Sequence, residues 1–458
     1  MLRLESKPGN LNRWGVSRRA TLQAGALGLG GLSLPHLLQL EASGAAKARD
    51  KSVILVWLDG GPSQLESYDP KPDAPAECRG PFETVRTSVP GTFVSELVPQ
   101  QANIADKLAF IRSVHHGNGD HFAGAHWMLT GRFGANSVSQ AIRYPSLGSC
   151  VSRLCGPRKA GLPAYVGLPA AESVYLFPGY HGASYLGGAY NPFDVDTETK
   201  YQHHENKATS GIPKCFSQTT NVDTQRLGER ANLLQSLDGV RREIDQRASM
   251  SEYDRFQQQA LSLITASQAT EAFDVARESA ETIGRYGDNP WGRYTLMARR
   301  LVEAGVRFVT VDMPHWDHHS SLVRGHAPNM RAMDRAVAAL VSELAERSML
   351  ENVLVLVMGE FGRTPRINTG LPNDPIPGRD HWGDAISVMM AGGGLRGGVV
   401  VGATNSRAEH PVERPLGPQD ILATVYRVLG VDPDTSFLDH AGRPIPLVSV
   451  GKPISELF

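Results

Sequence analysis

Three runs of consecutive apolar residues, each of strand length and each closed by an acidic residue, constrain this chain more than any other feature. Ser52-Val53-Ile54-Leu55-Val56-Trp57-Leu58 leads into Asp59-Gly60-Gly61-Pro62. Arg307-Phe308-Val309-Thr310-Val311 ends on Asp312, and Val353-Leu354-Val355-Leu356-Val357-Met358 leads through Gly359 to Glu360. A strand that is apolar without alternation has no solvated face, which suits a parallel strand covered on both sides. Helical spacing fills the gaps. One helix is predicted around Trp291 to Ala304, and another carries Met333, Val337, Leu340, Val341 and Leu344 on one face. Gly417-Pro418-Gln419-Asp420 opens a last helix with Ile421, Leu422, Val425 and Leu429, which stops at Gly430. Helix and strand in alternation predict an α/β fold built on a parallel sheet.

The length, 458 residues, is enough to bury a sizeable core as one large domain with insertions or as two. A formal net charge of -1 argues against a nucleic-acid partner, which would call for a basic stripe. One segment differs from the rest. From about Asn221 to Tyr286 the chain is rich in Gln, Arg, Glu and Ala, with Leu233, Leu234, Leu237, Val240 and Ile244 at helical spacing. It reads as a helical insertion in the α/β domain, its charges forming a solvated face.

At the N-terminus, Ser17-Arg18-Arg19-Ala20-Thr21-Leu22-Gln23 precedes a mildly apolar run from Ala24 to Leu40 and small residues from Ala42 to Ala48. The run falls short of the roughly 20 strongly apolar residues that a membrane span needs. Paired arginines before such a run are the layout of a cleavable twin-arginine signal. The expectation is a leader over residues 1–46, with cleavage between Gly44 and Lys51, followed by an α/β domain over residues 47–458. The mature chain would then work in the periplasm or outside the cell, with the twin-arginine export machinery as a partner and no stable membrane span. Cys78, Cys150, Cys155 and Cys215 would meet an oxidising compartment, where Cys150 and Cys155 could pair locally. Their irregular spacing does not resemble a zinc cage.

In an open α/β sheet, ligands collect beyond the carboxyl ends of the strands. Asp59, Asp312 and Glu360 are predicted there. His315-Trp316-Asp317-His318-His319 and Gly378-Arg379-Asp380-His381-Trp382-Gly383 follow strands of this kind, and His115-His116-Gly117-Asn118-Gly119-Asp120-His121 precedes Leu129-Thr130-Gly131-Arg132. Carboxylates and imidazoles gathered at one rim form a mixed oxygen and nitrogen donor set. Such a set suits a divalent metal: zinc, manganese or calcium.

Leu58-Asp59-Gly60-Gly61-Pro62-Ser63, Trp316-Asp317-His318-His319, Gly359-Glu360-Phe361-Gly362-Arg363-Thr364-Pro365 and Gly378-Arg379-Asp380-His381-Trp382 together resemble an exported family known as domain of unknown function 1501. The likeness runs to the closing Gly442-Arg443-Pro444, and the Gly-Glu-Phe-Gly-Arg-Thr-Pro string is its specific part. That family is itself similar to the alkaline phosphatase and sulfatase superfamily. The resemblance implies a mixed, largely parallel sheet flanked by helices, with one or two metals at the strand ends. It implies that Asp59 matches the first metal aspartate, that Asp317 and His319 belong to one metal centre, and that Glu360 stands where an aspartate is common. His381 resembles the late metal histidine, with Asp380 beside it.

One departure bears on the chemistry. In sulfatases a nucleophilic Cys or Ser precedes a Leu-Thr-Gly-Arg string at a fixed distance; the same distance counted back from Leu129 falls on His121. His121 is therefore a candidate nucleophile or metal ligand, with metal-activated water or Ser63 as other sources of attack. Arg363 and Arg379 are candidates to hold the substrate anion. Two functions compete. One is a metal-dependent hydrolase acting on small or polymeric phosphate or sulfate esters; the other is an exported binding or assembly protein on the same scaffold.

Overall fold

A computed structural model describes residues 50–134, 142–171, 180–195 and 267–458. The leader over 1–46, Cys215 and residues 221–266 of the helical segment lie outside the described residues. Within Lys51–Phe458, which form one compact unit, an eight-stranded sheet is the frame.

Its strands are β1 (Ser52–Trp57), β2 (Leu108–Val114), β3 (Tyr165–Leu168), β4 (Phe193–Asp194), β5 (Phe308–Asp312), β6 (Val353–Met358), β7 (Ile386–Gly392) and β8 (Val399–Val401). The spatial order is β8-β2-β7-β6-β1-β5-β3-β4. All run the same way except β7, which is antiparallel to both β6 and β2. The sheet is thus mixed and largely parallel, and the three apolar runs are its centre. β1 lies between β5 and β6 in parallel register, with Trp57 opposite both Asp312 and Met358.

Continuous apolar sequence is explained by two cores, one on each face. Ile54 and Val56 of β1 join Val309, Val311, Val355 and Val357 in the first. Val53, Leu55 and Trp57 join Phe308, Leu354, Leu356 and Met358 in the second. Side chains alternate across a strand, so a central strand with helices on both sides buries every residue. At about 1.5–3 kcal/mol for each fully buried large aliphatic side chain, these strands are the main source of stability. The first face is covered by α5 (Pro290–Ala304) and α6 (Ala327–Glu346). The second is covered by α1 (His121–Thr130), α2 (Leu147–Cys155) and α7 (Pro418–Val428).

Residues 267–286 of the segment read as helical contain α3 (Ser267–Phe273) and α4 (Ala280–Tyr286). Phe273, Val275 and Tyr286 are buried in the first core, so this part is more than a solvated face. No helix among the described residues is long and apolar enough to cross a membrane. Cys78 and Cys150 are free thiols. Cys150 and Cys155 do not pair because both belong to α2, where positions five apart point to different faces at about 3.6 residues per turn.

Candidate metal centre

Three segments meet beyond the carboxyl ends of β1, β5 and β6. The turn after β1 carries Asp59 and Gly60. Gly60 has φ 111°, and a Cβ there would stand 2.7 Å from the Asp317 amide nitrogen. Only glycine allows that approach, and it lets the segment after β5 close on the turn. The Trp316 amide donates to the Asp59 carbonyl at 3.1 Å, and the fully buried Trp316 indole stacks on Trp291. Asp317 is fixed by these anchors at the front of the sheet.

α1 brings His121. Asp120 caps the helix, its carboxylate accepting from the Ala123 amide at 2.9 Å, so His121 opens the first turn. Gly124 brings α1 against β6's exit: a Cβ there would lie 2.9 Å from the Glu360 carbonyl. His381 arrives on a two-residue ribbon that pairs it with Arg363, its ring stacked on Phe361 at 4.4 Å.

Ring Nε2 atoms from three histidines face one carboxylate. His121 Nε2 lies 3.3 Å from Asp317 Oδ2, while His319 Nε2 and His381 Nε2 lie 3.0 and 2.8 Å from Asp317 Oδ1. His319 Nε2 is also 3.0 Å from His381 Nε2. Ligand-type atoms of His121, Asp317 and His381 all lie within 4.8 Å of one another. The cluster is reachable from solvent, with side-chain exposures of 12% for His121, 23% for Asp317 and 20% for His381.

Electrostatics say that the cluster calls for positive charge. Burial opposes protonation of His121, but hydrogen bonds to Asp317 and Glu360 outweigh it and push the pKa up to about 10. Burial also works against the Asp317 carboxylate. Hydrogen bonds from His121, His319 and His381, with the Arg363 charge, still hold it far below the usual range. The Asp317 hydrogen bond, offset by burial, raises His319. His381 is lowered, chiefly by burial. Carboxylates at Asp317, Glu360 and Asp380 face one buried guanidinium, so either protons or a cation must supply the balance. Imidazole nitrogens with a carboxylate oxygen are donors that fit a zinc-type divalent ion.

The other expected ligands lie differently: His319, although close to Asp317 and His381, is outside the group of mutually close ligand atoms among the described residues. Glu360 is 1% exposed and accepts through Oε1 from His121 Nδ1 at 2.6 Å and from the Gly60 amide at 2.8 Å. Asp380 accepts from His319 Nδ1 at 2.7 Å. Both carboxylates therefore stand behind the histidines and are not within the group of mutually close ligand atoms among the described residues. Asp59 is buried at the end of β1 and is likewise outside that group. His116 turns to the Glu360 carbonyl at 2.7 Å instead of the cluster, and Asp120 is spent on its cap. Of the His115 to His121 stretch, His121 alone joins the group.

Neither arginine is placed to hold a substrate anion. Arg379 is fully buried, and its five N–H groups go to Glu66 and to the carbonyls of Cys78, Thr364 and Pro365. Arg363 donates to Asp317 and to four backbone carbonyls. Ser63 is also removed from the chemistry: it is fully buried, and its hydroxyl donates to Glu66 Oε2. The sequence carried no sign of Glu66 as a partner, nor of the Gly119 carbonyl, which accepts from His381 Nδ1 at 2.7 Å.

Residues 50–458 match the model of a family described as "Protein of unknown function (DUF1501)". No curated protein matches the chain. Solved structures resemble it at low identity. A sulfatase from Pseudoalteromonas sp. is 13% identical, over 86% of this chain and 70% of that one, with a TM-score of 0.39. A phosphonate monoester hydrolase from Silicibacter pomeroyi is 11% identical over 84% and 74%, with a TM-score of 0.34. A protein in the alkaline phosphatase superfamily from Vibrio parahaemolyticus is 9% identical over 84% and 67%, with a TM-score of 0.35.

Proposed function

This chain belongs to the DUF1501 family, and we propose that it is an exported, metal-dependent hydrolase of phosphate or sulfate esters. The observation that supports this reading is the convergence of three imidazole Nε2 atoms on Asp317 at the strand ends. His121, Asp317 and His381 would hold the ion, with His319 alongside. Nitrogen-rich donors favour zinc over manganese, and manganese over calcium, which prefers oxygen alone. A bound ion of this type supplies a Lewis acid for an ester oxygen and lowers the pKa of water to about 7.

The chain's own residues set the stage for that chemistry. Arg363 keeps Asp317 ionised at 2.8 Å. His121 has Nδ1 tied to Glu360 and Nε2 facing Asp317, which favours a ligand over a nucleophile. A small or polymeric anionic ester would then be bound chiefly by the ion.

A second reading is a non-catalytic binding or assembly protein on the same scaffold. What favours it is the engagement of Arg363, Arg379 and Ser63 with protein partners, which leaves none of these three candidates free for an ester. Metal analysis of protein purified without chelator, beside a screen of aryl phosphates and sulfates, separates the two. Stoichiometric metal with zinc-dependent turnover supports the hydrolase. Metal without turnover transfers the assignment to the binding protein, and absence of metal sinks the centre itself.

Export rests on Arg18-Arg19 and the apolar run behind them; the family match begins at residue 50, past the expected leader. With both arginines replaced by lysine, precursor should accumulate in the cytoplasm. Mature protein still appearing outside would end the twin-arginine reading.

A further inference from the structure

The three histidines share a second feature that is independent of Asp317. Each has its Nδ1 on an outer acceptor: His121 on Glu360 Oε1 at 2.6 Å, His319 on Asp380 Oδ1 at 2.7 Å, and His381 on the Gly119 carbonyl at 2.7 Å. A carboxylate and a carbonyl only accept, so each Nδ1 must carry hydrogen. Nε2, turned inward to Asp317, is the other protonated position, and it is the one whose proton an ion would displace, leaving its lone pair to the metal. Three rings from three separate segments are thus held in one tautomer and one orientation.

From this we propose that Glu360 is a positioning residue and not a ligand: it fixes the tautomer and rotation of His121 so that Nε2 meets the ion, and Asp380 does the same for His319. The inference rests on the metal reading above and deepens it. Two facts set Glu360 apart from a ligand. Its Oε1 is already shared between His121 Nδ1 and the Gly60 amide, and it meets the His121 ring on the side opposite Asp317, which faces Nε2. Its other oxygen, Oε2, is buried with no hydrogen-bond partner, so the carboxylate meets the His121 ring in a poorly screened setting. An acceptor of that strength raises the basicity of the ligated ring and removes its freedom to flip. Asp380 is the weaker copy: its side chain is half exposed and shares Oδ1 with Asn368. The centre therefore spends its carboxylates on orientation and presents imidazoles to the ion. This should make it select zinc over calcium.

Zinc binding to the full-length mature chain tests this, measured by competition with a chromophoric chelator and by X-ray absorption at the zinc edge. Glu360→Ala should weaken zinc about 10- to 100-fold, the loss expected for an outer partner of a metal histidine. Glu360→Gln, whose amide oxygen still accepts from Nδ1, should recover most of that loss. The number of nitrogen and oxygen neighbours at zinc should stay the same in both. In the zinc-loaded protein, nitrogen shifts of the His121 ring should show a single Nδ1–H tautomer in the wild type and a mixture in Glu360→Ala. Should Glu360→Ala not fold, Asp380→Ala at the exposed rim gives the same test through His319. A Gln variant as weak as the Ala variant, with one oxygen fewer at zinc, would make Glu360 a ligand and overturn the inference. So would wild-type affinity in both Glu360→Ala and Asp380→Ala. A wild-type chain that binds no zinc fails the metal reading first.

Discussion

Arg363 Nη2 donates to Asp317 Oδ1 at 2.8 Å, and the same guanidinium donates to the carbonyls of Gly60, Gly61, Trp316 and Arg379. One buried cation thereby ties together the turns after β1, β5 and β6 and keeps the central carboxylate charged. Its task is structural, although the sequence suggested an anion holder. Arg363→Met should therefore cost about 3–5 kcal/mol, because it strands a partly buried carboxylate and several carbonyls. Guanidinium unfolding measures this. A variant of unchanged stability whose only defect is a raised KM would return Arg363 to the substrate.

Asp317→Ala and His381→Ala should each lower bound metal, since each removes an atom from the converging group. His121→Ala discriminates among roles. A ligand predicts that metal content and turnover fall together. A nucleophile predicts loss of turnover with metal retained, and a bystander predicts neither. The first outcome is expected, because both ring nitrogens of His121 are engaged.

Much of this was legible in the sequence, and the limit is physical. β1, β5 and β6 announce themselves because a strand buried on both faces must be apolar throughout. β2 did not: its run is broken by Arg112, whose guanidinium lies beside buried Asp69. Nor did the sequence single out β7, whose reversal makes the sheet mixed. At the site, His121, Asp317, His319 and His381 could be read from their motifs. Which nitrogen meets which oxygen could not, since that depends on contacts such as His121 with Glu360, 239 residues apart. Arg379 was misread for the same reason: its partner Glu66 is 313 residues away and has no motif.

The Glu66–Arg379 pair is 2.7 Å long and has no exposure to speak of at either end. Glu66→Ala leaves a guanidinium buried without its counter-charge, for a cost of about 3–5 kcal/mol. The double variant Glu66→Leu, Arg379→Met removes both charges together and should be more stable than Glu66→Ala alone. Chemical unfolding of the set is the measurement. A loss below about 1 kcal/mol in Glu66→Ala would mean that water reaches the pair.

Stability should also fall in acid through a histidine remote from the cluster's ligands. His181 is buried edge-on against Trp57, and burial pushes its pKa down to about 3. In the unfolded chain the same ring titrates near pH ~6.5. Between those values the unfolded state binds a proton that the native state refuses, so stability is complete above about pH 6.5 and is lost as pH falls towards 3. The slope from one such ring approaches ~1.4 kcal/mol per pH unit. His326, which packs against Trp316 and His318 beside the cluster, is lowered in the same direction by burial and then by His318, Arg363 and Arg379. His181→Phe keeps a ring against Trp57 and removes the titration. As pH falls from about 7 to about 5, the urea midpoint of the wild type should therefore drop further than that of the variant, whose slope is the flatter. Carboxylates titrate in the same range but are common to both proteins, so the difference isolates His181. Parallel slopes would show that the buried ring accepts its proton without unfolding.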